Sequence, residues 1–353
     1  MPSLFALRAG RVKKRGSAVL YAIPLAFLLS SCALPPLGGD GGAPNQQSTL
    51  RQLVTNQDRL YRVAGPLMVN NAELCKDNAR NLLGFTAKNK YSYSADLTNA
   101  AQSLLGLGEQ LQVMGVLSGS GAAKAGLREG DRLISIEGQA VPTGPNAERE
   151  AAALLAPMVR DRSSVSLSVG RGNAPTTLSI PLTFACAFSI EVGNSDNVNA
   201  YSDGRNIMIT RGMMNFARSD DEVAYVLAKE LAHSTLKHAS RLRMNGAMSA
   251  VISNLRRVNP DPNATRDAYS RIRPYPQDLD GAADALALYM LARAGYNIDN
   301  AARFWERVAS QHPKSTTANY TALHPSTPHR INVINKTVSE IQSKKTSRQP
   351  ILP

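Results

Sequence analysis

Aromatic side chains are scarce in this chain, 5% of 353 residues with a single Trp, and it holds only three Cys and five His. Each shortage excludes something. Three Cys cannot staple a disulfide-dense mini-protein. With so few aromatics and no basic run interleaved with them, nucleic-acid binding has little support despite a formal net charge of +13. Charged residues are also few, 19% against 43% hydrophobic, which is not a disordered composition. The length allows about two domains. The scarce histidines are unevenly placed: His233, His238, His312, His324 and His329 all stand in the last third.

The first 31 residues lack acid altogether but carry Arg8, Arg11, Lys13, Lys14 and Arg15. An apolar run from Ala18 to Leu29 follows, too short for a comfortable transmembrane helix. A basic start, a short apolar run and small residues read as a secretory signal. Leu29-Ser30-Ser31-Cys32 resembles a bacterial lipobox, in which the Cys becomes the lipidated first residue of the mature chain. Ala33 follows it rather than Asp, which resembles outer-membrane sorting in Gram-negative bacteria. The resemblance implies a protein lipid-anchored through Cys32 on the periplasmic side of the outer membrane. Without residues 1–31 the chain has 35 basic and 27 acidic residues, so the net charge falls to +8. Residues 32–48 are rich in Pro and Gly and read as a flexible tether. In an oxidising compartment Cys75 and Cys186 are expected to form a disulfide closing a long loop; the alternative is two buried free thiols.

Residues 49–103 read as an N-terminal helical segment packing on the last domain, with Leu50, Leu53, Val54, Leu60, Val63 and Leu67 at helical spacing. Pro66 predicts a break into two pieces. From about residue 104 the pattern changes to short strands and glycine turns. Ala122-Ala123-Lys124-Ala125-Gly126-Leu127, Gly130-Asp131 and the strand Leu133–Ile136 resemble a bacterial PDZ domain, covering about 104–184. The resemblance implies that Gly106-Leu107-Gly108 is the loop whose N–H groups hold a peptide's C-terminal carboxylate, with the peptide adding a strand to a sheet edge. A PDZ-like spacer with a non-binding groove is the alternative.

The last third carries the chemistry. Ser219 to Glu222 is a capping-box pattern opening a helix that contains Lys229-Glu230-Leu231-Ala232-His233, one residue from H-E-x-x-H. In that motif two His share one helix face and bind Zn²⁺, and the Glu is the base toward the metal-bound water. A hairpin through Asp203-Gly204 precedes it. Asp280-Gly281-Ala282-Ala283-Asp284 opens a later helix, and His324-Pro325 leads to Arg330. These four motifs in this order resemble the HtpX/CAAX-prenyl-endopeptidase-like zinc metallopeptidases, particularly their BepA-like periplasmic branch, over about residues 186–335, in a domain expected to span 185–340.

The resemblance implies an α+β chain: a mostly helical gluzincin-type metallopeptidase domain with a short edge hairpin, plus the small β-rich PDZ domain. It makes Glu230 the general base and Arg330 its catalytic helper at the oxyanion. His233, Asp280 and His324 become metal ligands, with Asp284 beside them, and Asn199-Ala200-Tyr201 the substrate edge strand. Lys229 stands where the first ligand His belongs, and Asp280 is one methylene shorter than the family's Glu. Two outcomes follow: an altered site holding one zinc ion, or a metal-free site in which the Lys229 ammonium pairs with Glu230, Asp280 or Asp284. In the first, the protein cleaves peptide bonds in envelope protein quality control. In the second, it is a pseudopeptidase, an adaptor or chaperone for unfolded or C-terminal peptide segments of envelope proteins. His238, five residues beyond His233, should point about 140° away on the helix. Residues 341–353 read as a basic, fraying tail.

Overall fold

The computed structural model describes residues 46–312 and 328–353, Asn173 and Val258 aside. Cys32, the leader, nearly all of the tether and His324 lie outside the described residues.

Helix α1 (Gln46–Val69) serves two parts of the molecule. Leu60, Val63, Ala64, Leu67 and Met68 enter the largest core, while Leu50 and Val54 pack with Leu97, Ala100, Ala101 and Leu107. The break expected at Pro66 does not occur; the helix runs through it. Proline's fixed φ suits a helix, so the penalty is one lost hydrogen bond and some crowding. Burial of Leu67 and Met68 just beyond it offsets that cost.

Strand β1 (Ala79–Leu82) begins an excursion from this core. The module that follows comprises β2 (Phe85–Lys88), α2 (Thr98–Leu105), β3 (Gln112–Val116), α3 (Gly121–Lys124), β4 (Arg132–Ile136), β5 (Gln139–Ala140), α4 (Ala147–Asp161), β6 (Ser164–Arg171) and β7 (Ala174–Pro181). Its sheet runs β2-β3-β4-β6-β7, antiparallel throughout, with β5 on β4. Val113, Leu133, Ile136, Val165, Leu167 and Val169 alternate into its core. Strand β8 (Thr183–Cys186) then pairs antiparallel with β1, Ala79 opposite Cys186, and the Cys75–Cys186 disulfide closes the base of this ribbon. The module therefore starts at Phe85, not near 104. A four-residue strand offers too little period to be told from the helical segment before it.

The chain re-enters the main core with β9 (Ser189–Gly193), β10 (Ala200–Ser202) and β11 (Asn206–Thr210), in the order β10-β11-β9 with β9 and β11 parallel. Asp203 Oδ1 accepts from the Arg205 and Asn206 N–H groups, and Gly204 takes φ +98°, which turns the β10–β11 hairpin. Helices α5 (Arg211–Phe216), α6 (Asp220–Thr235), α7 (His238–Arg241), α8 (Asn245–Leu255), α9 (Pro262–Tyr269), α10 (Gln277–Arg293), α11 (Ala301–Gln311) and α12 (Pro328–Thr346) complete the fold. Ser219 caps α6, its Oγ accepting from Glu222 N, and every residue from Val223 to Thr235 is buried. The architecture is α+β, as expected.

The fraying tail is corrected. Residues 328–346 form one helix, and Ile341 is fully buried in the main core. Ile331, Ile334, Val338 and Ile341 recur at spacings of three and four, a stripe the polar composition had masked. Past the helix, the Ile351 and Leu352 carbonyls accept from Arg293 and Lys344. Among the described residues no helix is long and apolar enough to cross a membrane.

Candidate functional site

Helices α6 and α10 bring two pairs of residues face to face. Lys229 and His233 stand four apart on α6, and Asp280 and Asp284 four apart on α10, so each pair shares a helix face. All four are nearly fully buried. The Lys229 ammonium lies 2.8 Å from Asp284 Oδ1 and 2.9 Å from Asp280 Oδ1. Arg330, in the first turn of α12, donates from Nε to Asp284 Oδ2 at 2.6 Å and from Nη2 to Asp284 Oδ1 at 3.1 Å. Its guanidinium lies 4.2 Å from the centre of Trp305, the chain's single Trp, and Lys229 Nζ lies 5.3 Å from the same ring.

Two cations thus face two carboxylates in a dry setting. Burial pulls the Lys229 pKa down and Arg330 adds to this, while Asp280 and Asp284 oppose it; the net direction is down. Burial also works against the Arg330 charge, but Asp284 and Asp280 outweigh it and raise its pKa.

Both nitrogens of His233 are engaged. Nε2 lies 3.2 Å from Asp280 Oδ1 and Nδ1 lies 3.0 Å from His238 Nδ1. In neutral rings one assignment satisfies both contacts: His238 donates to His233, and His233 Nε2–H donates to Asp280. Tyr275 lies over the His233 ring at a centroid distance of 4.1 Å. His238 corrects the sequence reading, which turned it away. Helix α6 ends at Thr235 and Lys237 adopts φ +59°, so the regular advance per residue no longer applies and His238 folds back into the cluster. An αL residue at a lysine is not legible in the sequence.

Glu230 is also buried. Its carboxylate adds to burial in raising the pKa values of Tyr201 and Tyr275. The expected substrate strand does not offer an open edge. Asn199, Ala200 and Tyr201 are all buried, Tyr201 within a cluster with Met248, Val251 and Ile252 of α8, and its hydroxyl is 2.5 Å from that of Tyr269 on α9. Arg330 likewise is not a loop residue over a cleft; it is 1% exposed and committed to Asp284. A hollow of about 630 Å³ touches His233 from the β10–β11 turn, between Asn206, Lys237 and Ser240, but none of Lys229, Glu230, Asp280, Asp284 or Arg330 lines it. Tyr275 and Trp305 are the members of this cluster that motif reading missed.

The PDZ module needs one correction. Gly106 is the left-handed end of α2 at φ +66°, and its N–H donates to the Ala101 and Gln102 carbonyls. The Leu107 N–H donates to the Ala101 carbonyl and its side chain is fully buried. These N–H groups finish a helix and do not serve a carboxylate. The turn that opens onto the sheet's outer strand is Leu83-Gly84, with Gly84 at φ +89° leading into β2. A Cβ at Gly84 would stand 2.2 Å from Ser120 Cβ, so the position admits only glycine.

Comparison with known proteins agrees with both halves. The profile of Peptidase family M48 matches residues 176–338, and that of a PDZ domain matches 112–168. Mitochondrial metalloendopeptidase OMA1 of Schizosaccharomyces pombe is 24% identical over 148 residues, 40% of this chain and 44% of that protein. OMA1 of Arabidopsis thaliana is 26% identical over 151 residues, 42% of this chain and 31% of that one. The chain thus spans less than half the length of these relatives. Among solved structures, the HtrA3 PDZ domain bound to a phage-derived ligand (FGRWV) is matched at 18% identity over 30% of this chain and 88% of that one, with a TM-score of 0.22.

Proposed function

Because the chain carries a Peptidase family M48 domain and a PDZ domain, we propose that it is a metalloendopeptidase-like protein whose PDZ module holds peptides and whose peptidase fold does not cut them. Peptidases of this family typically use zinc. Among the described residues, which leave out His324, the donor set does not fit that ion. The first ligand position supplies an ammonium, which has no lone pair until it loses a proton. The Asp280 carboxylate already accepts from Lys229 and His233, and Asp284 accepts from Lys229 and Arg330. His233 Nε2 lies 3.2 Å from Asp280 Oδ1. Among the described residues no group of three or more His, Cys, Asp or Glu is placed to hold a metal. The observation that carries the reading is the Lys229 ammonium, 2.8 and 2.9 Å from the two carboxylates. It ties α6 to α10, and Arg330 ties α12 to α10, as a structural cross-link of charge.

In this reading the PDZ module does the recognising. An unfolded or C-terminal segment of an envelope protein adds as a strand to the outer edge of β2, its terminus toward Gly84. The Cys32 lipid holds the protein on the periplasmic face of the outer membrane. The lipobox-like sequence supports this, as does the Cys75–Cys186 disulfide, which calls for an oxidising compartment. Cys32→Ala is expected to move the protein from the membrane pellet to the soluble envelope fraction; retention in the pellet would count against the anchor.

The central test measures metal and peptide on the full chain. Purified protein dialysed against micromolar zinc is expected to retain well under one ion per chain and to leave an unfolded polypeptide intact. It should still bind peptides with a free C-terminus in preference to amidated ones. One tightly held zinc per chain, or cleavage abolished by Glu230→Gln, overturns the proposal. Lys229→His returns a second imidazole four residues from His233. In that variant zinc at about 100 times its Kd should stabilise the fold by about 2.7 kcal/mol, a response absent from the natural chain.

A further inference from the structure

Two strands end their sheets on the same hollow. They are β2 of the PDZ module and β9 of the peptidase-like half, and the hollow between them measures about 620 Å³. Helix α1 lies across it and contributes Leu53, Gln57 and Asp58. The β9 edge is already satisfied. Gln57 Nε2 donates to the Ile190 carbonyl at 3.1 Å, and Gln57 Oε1 accepts from Val192 N–H at 2.9 Å. That is the pair of bonds one residue of a parallel neighbour would make. The β2 edge, in contrast, has no strand beside it among the described residues. A peptide added there runs between β2 and the wall formed by α1, which carries Gln57 and Asp58 among apolar residues.

That wall has a definite chemistry. Asp58 is half-buried and makes no ion pair among the described residues. Its α1 neighbour Arg62 turns instead to Asp220. Burial, with Glu129 adding to it and Arg62 opposing, pushes the Asp58 carboxyl up to about 6. Glu148, at the start of α4, faces the same hollow. Tyr93 sits between them: burial raises its pKa to about 12, and the charges of Asp58 and Glu148 both contribute. A cation already rests here, since Lys88 Nζ lies 4.9 Å from the Tyr93 ring centre. The remaining acid, Glu191, is taken by Arg256 at 2.5 Å.

We propose that a peptide bound along β2 places a Lys or Arg side chain in this hollow, against Asp58, Glu148 and the face of Tyr93, and that the protein selects for that residue. Its position follows from strand geometry. The peptide runs antiparallel to β2 with its terminus at Gly84, and Lys88 is four residues along at about 3.3 Å each. The basic residue is therefore the third to fifth from the C-terminus. Asp58 comes from α1, outside the PDZ module, and Glu148 and Tyr93 from within it, so the two halves read one peptide together. The inference rests on the peptide-holding function proposed above.

The test uses the full chain and labelled peptides with a free C-terminus, identical but for Arg, Gln or Glu at the fourth position from the end. The Arg peptide is expected to bind about tenfold tighter than the Gln peptide, a difference of about 1.4 kcal/mol. Asp58→Asn combined with Glu148→Gln should reduce that ratio to below about twofold. Asp58→Lys should reverse the preference toward the Glu peptide, a gain that misfolding cannot imitate. Equal affinities in the natural chain, or an unchanged order in Asp58→Lys, overturn the inference while leaving peptide holding intact. Failure of every free-terminus peptide to bind overturns both.

Discussion

Lys229→Met is expected to lose about 3 to 5 kcal/mol of folding stability, the usual consequence of removing one partner from a buried ion cluster. The natural cluster balances two cations against two carboxylates, all at 3% exposure or less. Without Lys229, Arg330 alone faces Asp280 and Asp284, and an uncompensated carboxylate remains in a site that water does not reach. The midpoint of a urea titration should fall with little change in slope. A second variant separates charge balance from lost packing. Lys229→Met combined with Asp284→Asn again sets one cation against one anion, so it should be more stable than Lys229→Met alone. A double-mutant cycle then gives a coupling of about 1 to 3 kcal/mol. A loss under about 1 kcal/mol in the single variant, or simple additivity in the cycle, would show that Lys229 is not holding α6 to α10.

The elements of this site were legible in the sequence to different depths. Ser219 and Glu222 fixed the start of α6, and the spacing of Lys229 with His233, and of Asp280 with Asp284, fixed which residues share a face. Such spacings are local and survive any tertiary context. The pairing of α6 with α10 came through resemblance, since nothing in either helix alone names its partner. What could not be read were departures from regular geometry. His238 depends on a left-handed residue at Lys237, and the end of α2 depends on another at Gly106. One was mistaken for a helix continuing, the other for a binding loop. The covering of Tyr201 by α8 and α9 was equally hidden, because neither helix carries a motif and α9 is mostly polar. Strand β2 was hidden for a simpler reason: four residues show too little alternation, and only its neighbour β3 makes it an edge.

Removing the disulfide through Cys75→Ala with Cys186→Ala is expected to have an effect as large as breaking the ion cluster, for a different reason. The bond joins residues 111 apart in sequence. By chain-entropy reasoning a loop of that length adds about 4.7 kcal/mol by restricting the unfolded chain. Everything enclosed between the two cysteines, from β1 to β8, includes the whole PDZ module. In the native state the bond stands beside the β1–β8 ribbon, whose four residue pairs carry the module, while the Leu50 end of α1 packs against α2 from the other side. Loss of the bond should therefore show in two measurements. The guanidinium midpoint should fall by an amount corresponding to about 4 to 5 kcal/mol. Amide exchange should rise first in β1 and β8, before the core strands β4 and β6, as the neck opens by local unfolding. A destabilisation below about 1 kcal/mol would mean that the unfolded chain is already compact enough to hold these residues near each other. Exchange that rises uniformly would mean that α1, and not the ribbon, sets the position of the module. The second result would also leave selection by Asp58 in place when the bond is lost, which can be measured. A module held by α1 alone keeps the β2 hollow intact when the neck opens, so peptide preference would survive reduction. If the neck holds the module, reduction should lower the preference for a basic residue together with the stability.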